Sequence, residues 1–211
     1  MSFGEYEGGL RGLIHLLKYE RVLPVASVLG SMLANTIEEL LPSCGDSLPL
    51  VVPVPLHKTK RSDRGFNQAE LIARSAVKHL PQSPKTREPD AWRGLQLELA
   101  TGVLLRQRAT VSQVGLTREQ RVANVRDAFR VRDRQCVLGR TVVVVDDVMT
   151  TGTTLSECAR VLKKAGAERV LAATVARAFQ GAYDAKVHAG SDSVVPVEEE
   201  AREAEAVTAP V

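Results

Sequence analysis

Two adjacent carboxylates, Asp146 and Asp147, stand between four consecutive valines and a run of small hydroxyl residues in the segment VVVVDDVMTTGTT, residues 142–154. Each part of that segment has a chemical use. Backbone N–H groups at a helix start, together with the positive end of the helix dipole, make an anion site. Gly152 lets the chain approach a phosphate closely, and Thr150, Thr151, Thr153 and Thr154 add hydroxyl donors. Two acids beside a phosphate site would be repelled by it, unless they accept hydrogen bonds from sugar hydroxyls and lie close to a divalent cation. The segment is not a GxxxxGKS/T loop and contains no GxGxxG. A simple capped strand–helix turn needs one Thr or Asp, not this whole series.

These residues need a scaffold. Thr141 to Val145 is an unbroken β-branched run, which reads as a central parallel strand covered on both faces. Such a strand delivers Asp146 and Asp147 to its carboxyl end, where open α/β sheets bind ligands. Thr154 and Glu157 are spaced to cap the next helix, whose apolar stripe is Leu155, Cys158, Ala159, Leu162 and Ala165, with Gly166 as its stop. Val170 to Ala176 returns as a strand, which completes a right-handed βαβ unit.

Upstream, helical spacing runs from Tyr6 to Leu17 and from Ala26 to Leu40, ending before Pro42. Leu50 to Pro55 reads as a short buried strand, and Asn67 with Glu70 as the capping box of a helix reaching Leu80. Pro81 to Asp90 is a polar loop, Val103 to Leu105 a short strand, and 106–116 a mobile polar loop. Thr117 and Gln120 cap a short helix, and Ala128 to Val131 forms a strand.

Composition sets the outer limits. The 211 residues suffice for one α/β domain with appendages, with 44% apolar and 25% charged residues. No apolar run approaches the roughly 20 residues that cross a bilayer, and the first residues lack a secretory pattern. Membrane insertion is therefore not expected, and the expected location is cytoplasmic. Cys44, Cys136 and Cys158 are widely spaced and form no CxxC, so they read as idle thiols. Seven acids and two bases after residue 180 give that stretch −5, which leaves +8 on residues 1–180 of the whole chain's +3. A basic body suits a polyanionic ligand, either a phosphorylated small molecule or nucleic acid. The acidic tail, 181–211, has no convincing period and is read as disordered.

The segment 142–154 resembles, at every position, the phosphoribosylpyrophosphate motif of the type I phosphoribosyltransferases. Val52-Pro53-Val54-Pro55-Leu56-His57-Lys58 with Arg64-Gly65-Phe66-Asn67-Gln68 is similar to ComF-type competence proteins. So are Arg106-x-Arg108-x-Thr110-x-x-Gln113-x-x-Leu116, Arg121-x-x-Asn124 and Phe129, together with Tyr6, Leu10 to Leu17 and Lys18-Tyr19. The chain lacks the zinc ribbon that ComF proteins often carry, and its tail passes the family's usual end.

The resemblance implies the type I phosphoribosyltransferase fold: a twisted, mainly parallel sheet flanked by helices, with a small hood. The domain would cover 1–180, its hood drawn from about 1–45 and part of 85–130. The implied ligand is phosphoribosyl pyrophosphate with Mg2+. Asp146 and Asp147 would take the ribose and lie near the metal indirectly, through ribose or water. Val148, Met149, Thr150, Thr151, Gly152, Thr153 and Thr154 would line the 5-phosphate site.

His57 and Lys58 fall where the family has its pyrophosphate loop, with Arg64 a further candidate, and Arg106 and Arg108 where it has a flexible loop that closes over the substrate. Departing pyrophosphate must be neutralised by cations and donors, which suits these basic residues. Two functions remain open on this reading. One is transfer of phosphoribose to or from a nitrogen acceptor. The other is a non-catalytic role in DNA uptake, binding single-stranded DNA beside a helicase or recombination proteins, or sensing the donor. Aromatic residues make up only 4% of the chain, so stacking platforms for single strands are scarce. A homo-oligomer is compatible with the sequence, which does not decide the oligomeric state.

Overall fold

A computed structural model of the chain describes residues 1–45, 48–80, 97–110 and 117–178. In chain order the elements are β1 (Ser2–Glu5), α1 (Gly8–Tyr19), α2 (Val25–Leu40), a 3-10 turn (Leu41–Cys44), β2 (Leu50–Pro53), α3 (Lys58–Arg64) and α4 (Gln68–His79). They continue with β3 (Glu98–Leu99), β4 (Leu104–Arg106), α5 (Arg118–Val125), β5 (Phe129–Val131), β6 (Thr141–Met149), α6 (Thr153–Ala165) and β7 (Arg169–Arg177).

The main sheet has the order β1-β7-β6-β2-β3, and every neighbouring pair in it is parallel. Its centre is β6, as the valine run requires. Val142, Val143, Val144 and Val145 are all fully buried. Successive side chains of a strand point to opposite faces, and the four valines divide accordingly. Val143 and Val145 join a core with Leu29, Leu33, Ile37, Ile72 and Ala73 from α2 and α4. Val142 and Val144 join another with Leu104, Phe129, Leu155 and Leu162. Each such valine contributes about 1.5–3 kcal/mol of transfer free energy relative to exposure.

The helix α2 lies close against α4, and Gly30 is what permits it. A Cβ built at Gly30 would stand 2.4 Å from Ser75 Cβ and 3.0 Å from the Ala76 nitrogen. Asn67 caps α4 by accepting from the Ala69 N–H at 3.2 Å, and its amide donates to the Val54 carbonyl, tying the helix start to the end of β2. Glu70 does not complete the expected box; its carboxylate pairs with Arg74 at 3.0 Å instead. Thr117 and Gln120 form the full capping box of α5.

Several elements differ from the sequence expectation. Four residues, Ser2–Glu5, form an edge strand on β7, and Lys58–Arg64 form a helix where a loop was expected. Residues 1–45, assigned to the hood, are continuous with the main core through Ile14, Leu17, Leu29, Leu33 and Ile37. From the 85–130 segment, β4 and β5 make a separate two-stranded antiparallel sheet. Arg106 closes β4 and so does not belong to a loop. The helix after the acids starts at Thr153 with Gly152 as its cap residue, left-handed at φ 75°, and no side chain caps it. The Thr154–Glu157 cap is thus not formed, because Glu157 turns to Arg160 and to the Asp127 N–H. The expected Pro81–Asp90 loop, Gln113, Leu116 and the tail lie outside the described residues.

Candidate functional site

The strand β6 continues through the acids to Met149, pairing Asp146 with Thr174 and Val148 with Ala176 of β7. Asp146, Asp147, Val148 and Met149 are therefore held in a hydrogen-bonded ladder rather than in a turn, and the loop proper begins at Thr150. At its far end Gly152 has a left-handed φ of 75°, which an L side chain rarely adopts. The hydroxyls of Thr151 and Thr153 lie 3.1 Å apart, and Thr150 to Thr154 are all partly exposed at the N-terminus of α6. A cavity of about 480 Å3 opens beside them, walled by Val122, Val125, Arg126 and Ser156.

The two acids have unequal surroundings. Asp147 is buried, its Oδ1 accepts from the Val148 N–H at 2.9 Å, and its Oδ2 lies 2.5 Å from Lys18 Nζ at the end of α1. Burial pushes the Asp147 carboxyl up, but the Lys18 charge together with the hydrogen bonding around the group outweighs it and holds the carboxyl below the usual range. Burial also works against the charge on Lys18, and Asp147 reverses that, so the ammonium is held more firmly than a free lysine. Asp146 is only partly buried and accepts from the Asp147 N–H at 2.9 Å. Burial, then the Asp147 charge, push its carboxyl well above the usual range. Pairs of acids driven apart in this way mark functional sites more often than structural ones.

Cations face these acids. The Arg106 guanidinium stacks over Phe129 at 5.2 Å and bonds Thr110, and it is close enough to Asp146 to feel its charge. Its Nε is buried with no hydrogen-bond partner among the described residues, a donor of the kind an anion would satisfy. Lys60 on α3 is depressed by partial burial and then by the positive charges of Arg106, Arg64 and Lys18, so four cations converge here. Arg64 donates to Gln68 at 2.5 Å and lies 5.9 Å over the Tyr19 ring.

Of the remaining sequence candidates, Lys58 is exposed in the first turn of α3. His57 caps that helix through Nδ1, which sits 2.9 Å from the Thr59 hydroxyl, so its ring serves the helix start. Arg108 is not aimed at the acids: it donates to the carbonyls of Asn124 and Arg126 at 3.0 and 2.8 Å, holding the loop to the end of α5. Lys18 and Lys60 were not among the candidates read from sequence as ligand-binding. Their partners are set only by the fold: Lys60 stands in a polar stretch, and Lys18 meets an acid more than a hundred residues downstream.

No three His, Cys, Asp or Glu side chains converge as a metal cage among the described residues. The acids nonetheless fit Mg2+ in an indirect role, because that ion is ordinarily held by one or two carboxylates together with ligand phosphates and water. No described helix is long and apolar enough to cross a membrane.

A parallel sheet whose central strand hands an acid pair to a glycine- and hydroxyl-built helix start, with cations nearby, is an α/β architecture with an anion-compatible junction at the carboxyl end of β6. The chain belongs to the phosphoribosyl transferase domain family, whose model matches residues 72–202. It is 34% identical over 171 residues to the DNA utilization protein YhgH of Escherichia coli K12, covering 81% of this chain and 68% of that one. It is 28% identical over 177 residues to competence protein F of Haemophilus influenzae, covering 83% and 71%. Among solved structures, the allosteric regulatory enzyme of purine biosynthesis is 23% identical with a TM-score of 0.36; the match takes in 71% of this chain but only 26% of that one. The family model and the two relatives bear out the phosphoribosyltransferase fold and the ComF resemblance read from the sequence.

Proposed function

We propose that this chain binds phosphoribosyl pyrophosphate with Mg2+ at the carboxyl end of β6 and transfers phosphoribose to or from a nitrogen acceptor. The observation that carries the reading is one junction: the Thr150–Thr154 loop at a helix start, the unequal acids Asp146 and Asp147, and the converging Lys18, Lys60, Arg64 and Arg106. The loop suits a phosphate monoester, and Asp146 suits the ribose hydroxyls. Arg106, with an unfilled buried donor, suits the pyrophosphate that departs with the electron pair of the anomeric C–O bond. Bound Mg2+ would add positive charge on the leaving oxygens. Lys58 and Lys60 are both exposed on α3, and Lys60 is the one whose ammonium feels the Arg106 charge, whereas His57 caps the helix and Arg108 holds the end of α5.

Calorimetric titration with phosphoribosyl pyrophosphate and Mg2+ tests the donor half, and pyrophosphate release across a panel of nitrogenous bases tests the transfer half. Binding that vanishes in Asp146→Asn supports the reading, and no binding at millimolar donor sinks it. Binding without turnover for any base would leave a donor sensor. A second reading rests on the +8 carried by residues 1–180 and on the names of the relatives, which speak of DNA utilization and competence. Under it the basic body holds single-stranded DNA through its phosphates. Affinity must then fall steeply with salt, and binding that ignores salt removes this reading.

A further inference from the structure

Asp147 is the more buried of the two acids, and the chain itself already supplies its counter-ion. One oxygen takes the Val148 N–H and the other lies 2.5 Å from Lys18 Nζ, whose side chain is 18% exposed against 5% for the acid. Lys18 sits in the last turn of α1, so the ammonium reaches the end of β6 from a different layer of the fold. Helix anchoring alone does not account for it. A buried ion pair loses so much hydration that an apolar pair of similar volume would hold α1 as well or better.

What an apolar pair would lack is charge. A phosphate loop next to two carboxylates repels its own ligand, and one fixed ammonium cancels one of those carboxylates. The charge is also felt outside the pair, since Lys18 is among the groups that depress Lys60 of α3. Asp146 keeps the opposite character: it is partly exposed, and its Oδ1 accepts only a local bond, from the adjacent Asp147 N–H.

We propose that Lys18 is a positioning residue, the fixed counter-ion of Asp147, so that Asp146 alone reads the sugar hydroxyls and a divalent cation is needed only for the pyrophosphate. This rests on the donor-site reading above. It separates two ligands that share the sugar and the monoester. Ribose 5-phosphate, which has no pyrophosphate, binds the protein equally with and without Mg2+, whereas phosphoribosyl pyrophosphate binds better with it.

The test is calorimetric titration of the full chain with both compounds, with millimolar Mg2+ and with a chelator. For the unaltered protein the ribose 5-phosphate affinity is expected to change less than about twofold between the two conditions. In Lys18→Met, checked as folded by circular dichroism, it drops about tenfold in chelator, the scale of one charge contact, and Mg2+ restores part of the loss. Lys18→Arg, which keeps the charge, stays near the unaltered value. A merely structural lysine would give a loss that Mg2+ does not repair.

The proposal is overturned if ribose 5-phosphate needs Mg2+ in the unaltered protein, a result that stands whether or not the variant folds. It is overturned equally if Lys18→Met binds as well as the parent in chelator. If neither compound binds the unaltered protein, the donor site itself is refuted. Donor binding with either of the first two results refutes the role of Lys18 alone.

Discussion

Replacing Asp146 and Asp147 singly by Asn makes the same chemical change at neighbouring positions, and the structure requires opposite effects on stability. In Asp147→Asn the Lys18 ammonium loses its counter-ion. Breaking a buried pair from one side costs about 3–5 kcal/mol, and because Lys18 keeps 18% exposure the lower end, about 3 kcal/mol, applies. A domain of this size shifts by about 2–4 °C per kcal/mol, so Tm should fall by about 6–12 °C.

In Asp146→Asn the group removed is one whose charged form is disfavoured by burial and by Asp147. A carboxyl held above its unfolded value weakens the fold once pH exceeds that value, so at pH 7 its removal stabilises. The amide oxygen can still accept from the Asp147 N–H. A gain of about 0.5–2 kcal/mol is typical of relieving a strained functional group, which raises Tm by about 1–8 °C at neutral pH. Thermal melts at pH 7 followed by circular dichroism, with urea midpoints as a second reading, check both. Shifts of the same sign, or an Asp147→Asn change below about 1 kcal/mol, would refute the division of roles drawn between the acids.

Three further outcomes follow from other parts of the molecule. Gly30→Ala should lower Tm despite better helix propensity, since overpacking against Ser75 costs about 1–3 kcal/mol; an unchanged melt would show that α2 and α4 separate freely. Arg106→Met should weaken donor binding about tenfold or more while lowering Tm only modestly, because the stacking on Phe129 and the bond to Thr110 are lost but the cost of an unmet buried donor goes with them; equal donor affinity by calorimetry would remove Arg106 from the site. Acid stability should reflect Glu157, held below its usual range by hydrogen bonding to Arg160 despite an opposing effect of burial. Its contribution is full above about pH 4.3, the unfolded value, and is lost as pH falls through the folded one. Glu157→Gln should therefore flatten the decline of Tm below that pH, and parallel curves for variant and parent would contradict it.

The parts of the site that are contiguous in sequence were legible there. Val142 to Thr154 carries its strand, acids and loop in one stretch, and β6, α6 and β7 stand where residue types place them. Partners brought from afar were not legible. Lys18 reaches Asp147 from another helix, and no local pattern marks an ammonium as buried. The helix α3 escaped because Lys58–Arg64 has no apolar stripe and no buried residue; it is held by the His57 cap and by Gly65 at φ 84°. The Thr154–Glu157 spacing suggested a cap, but Asp127 and Arg160, distant or unremarkable in sequence, compete for Glu157 and take it. Arg108 had the right charge in the right region, and two backbone carbonyls claimed it.

The pairing of β1 with β7 has a bearing on how the molecule is made. Ser2 meets Thr174, 172 residues later. While a ribosome is still translating the middle of the chain, the first strand has no neighbour to zip against and the lysine of α1 has no aspartate to meet. Late-forming contacts of this kind are slow and leave apolar surface open to aggregation in the interval. Closing the edge of the sheet and completing the acid–lysine pair thus both wait on the last third of synthesis, and a nascent chain halted before β7 would carry both members of the pair but no partner for its first strand.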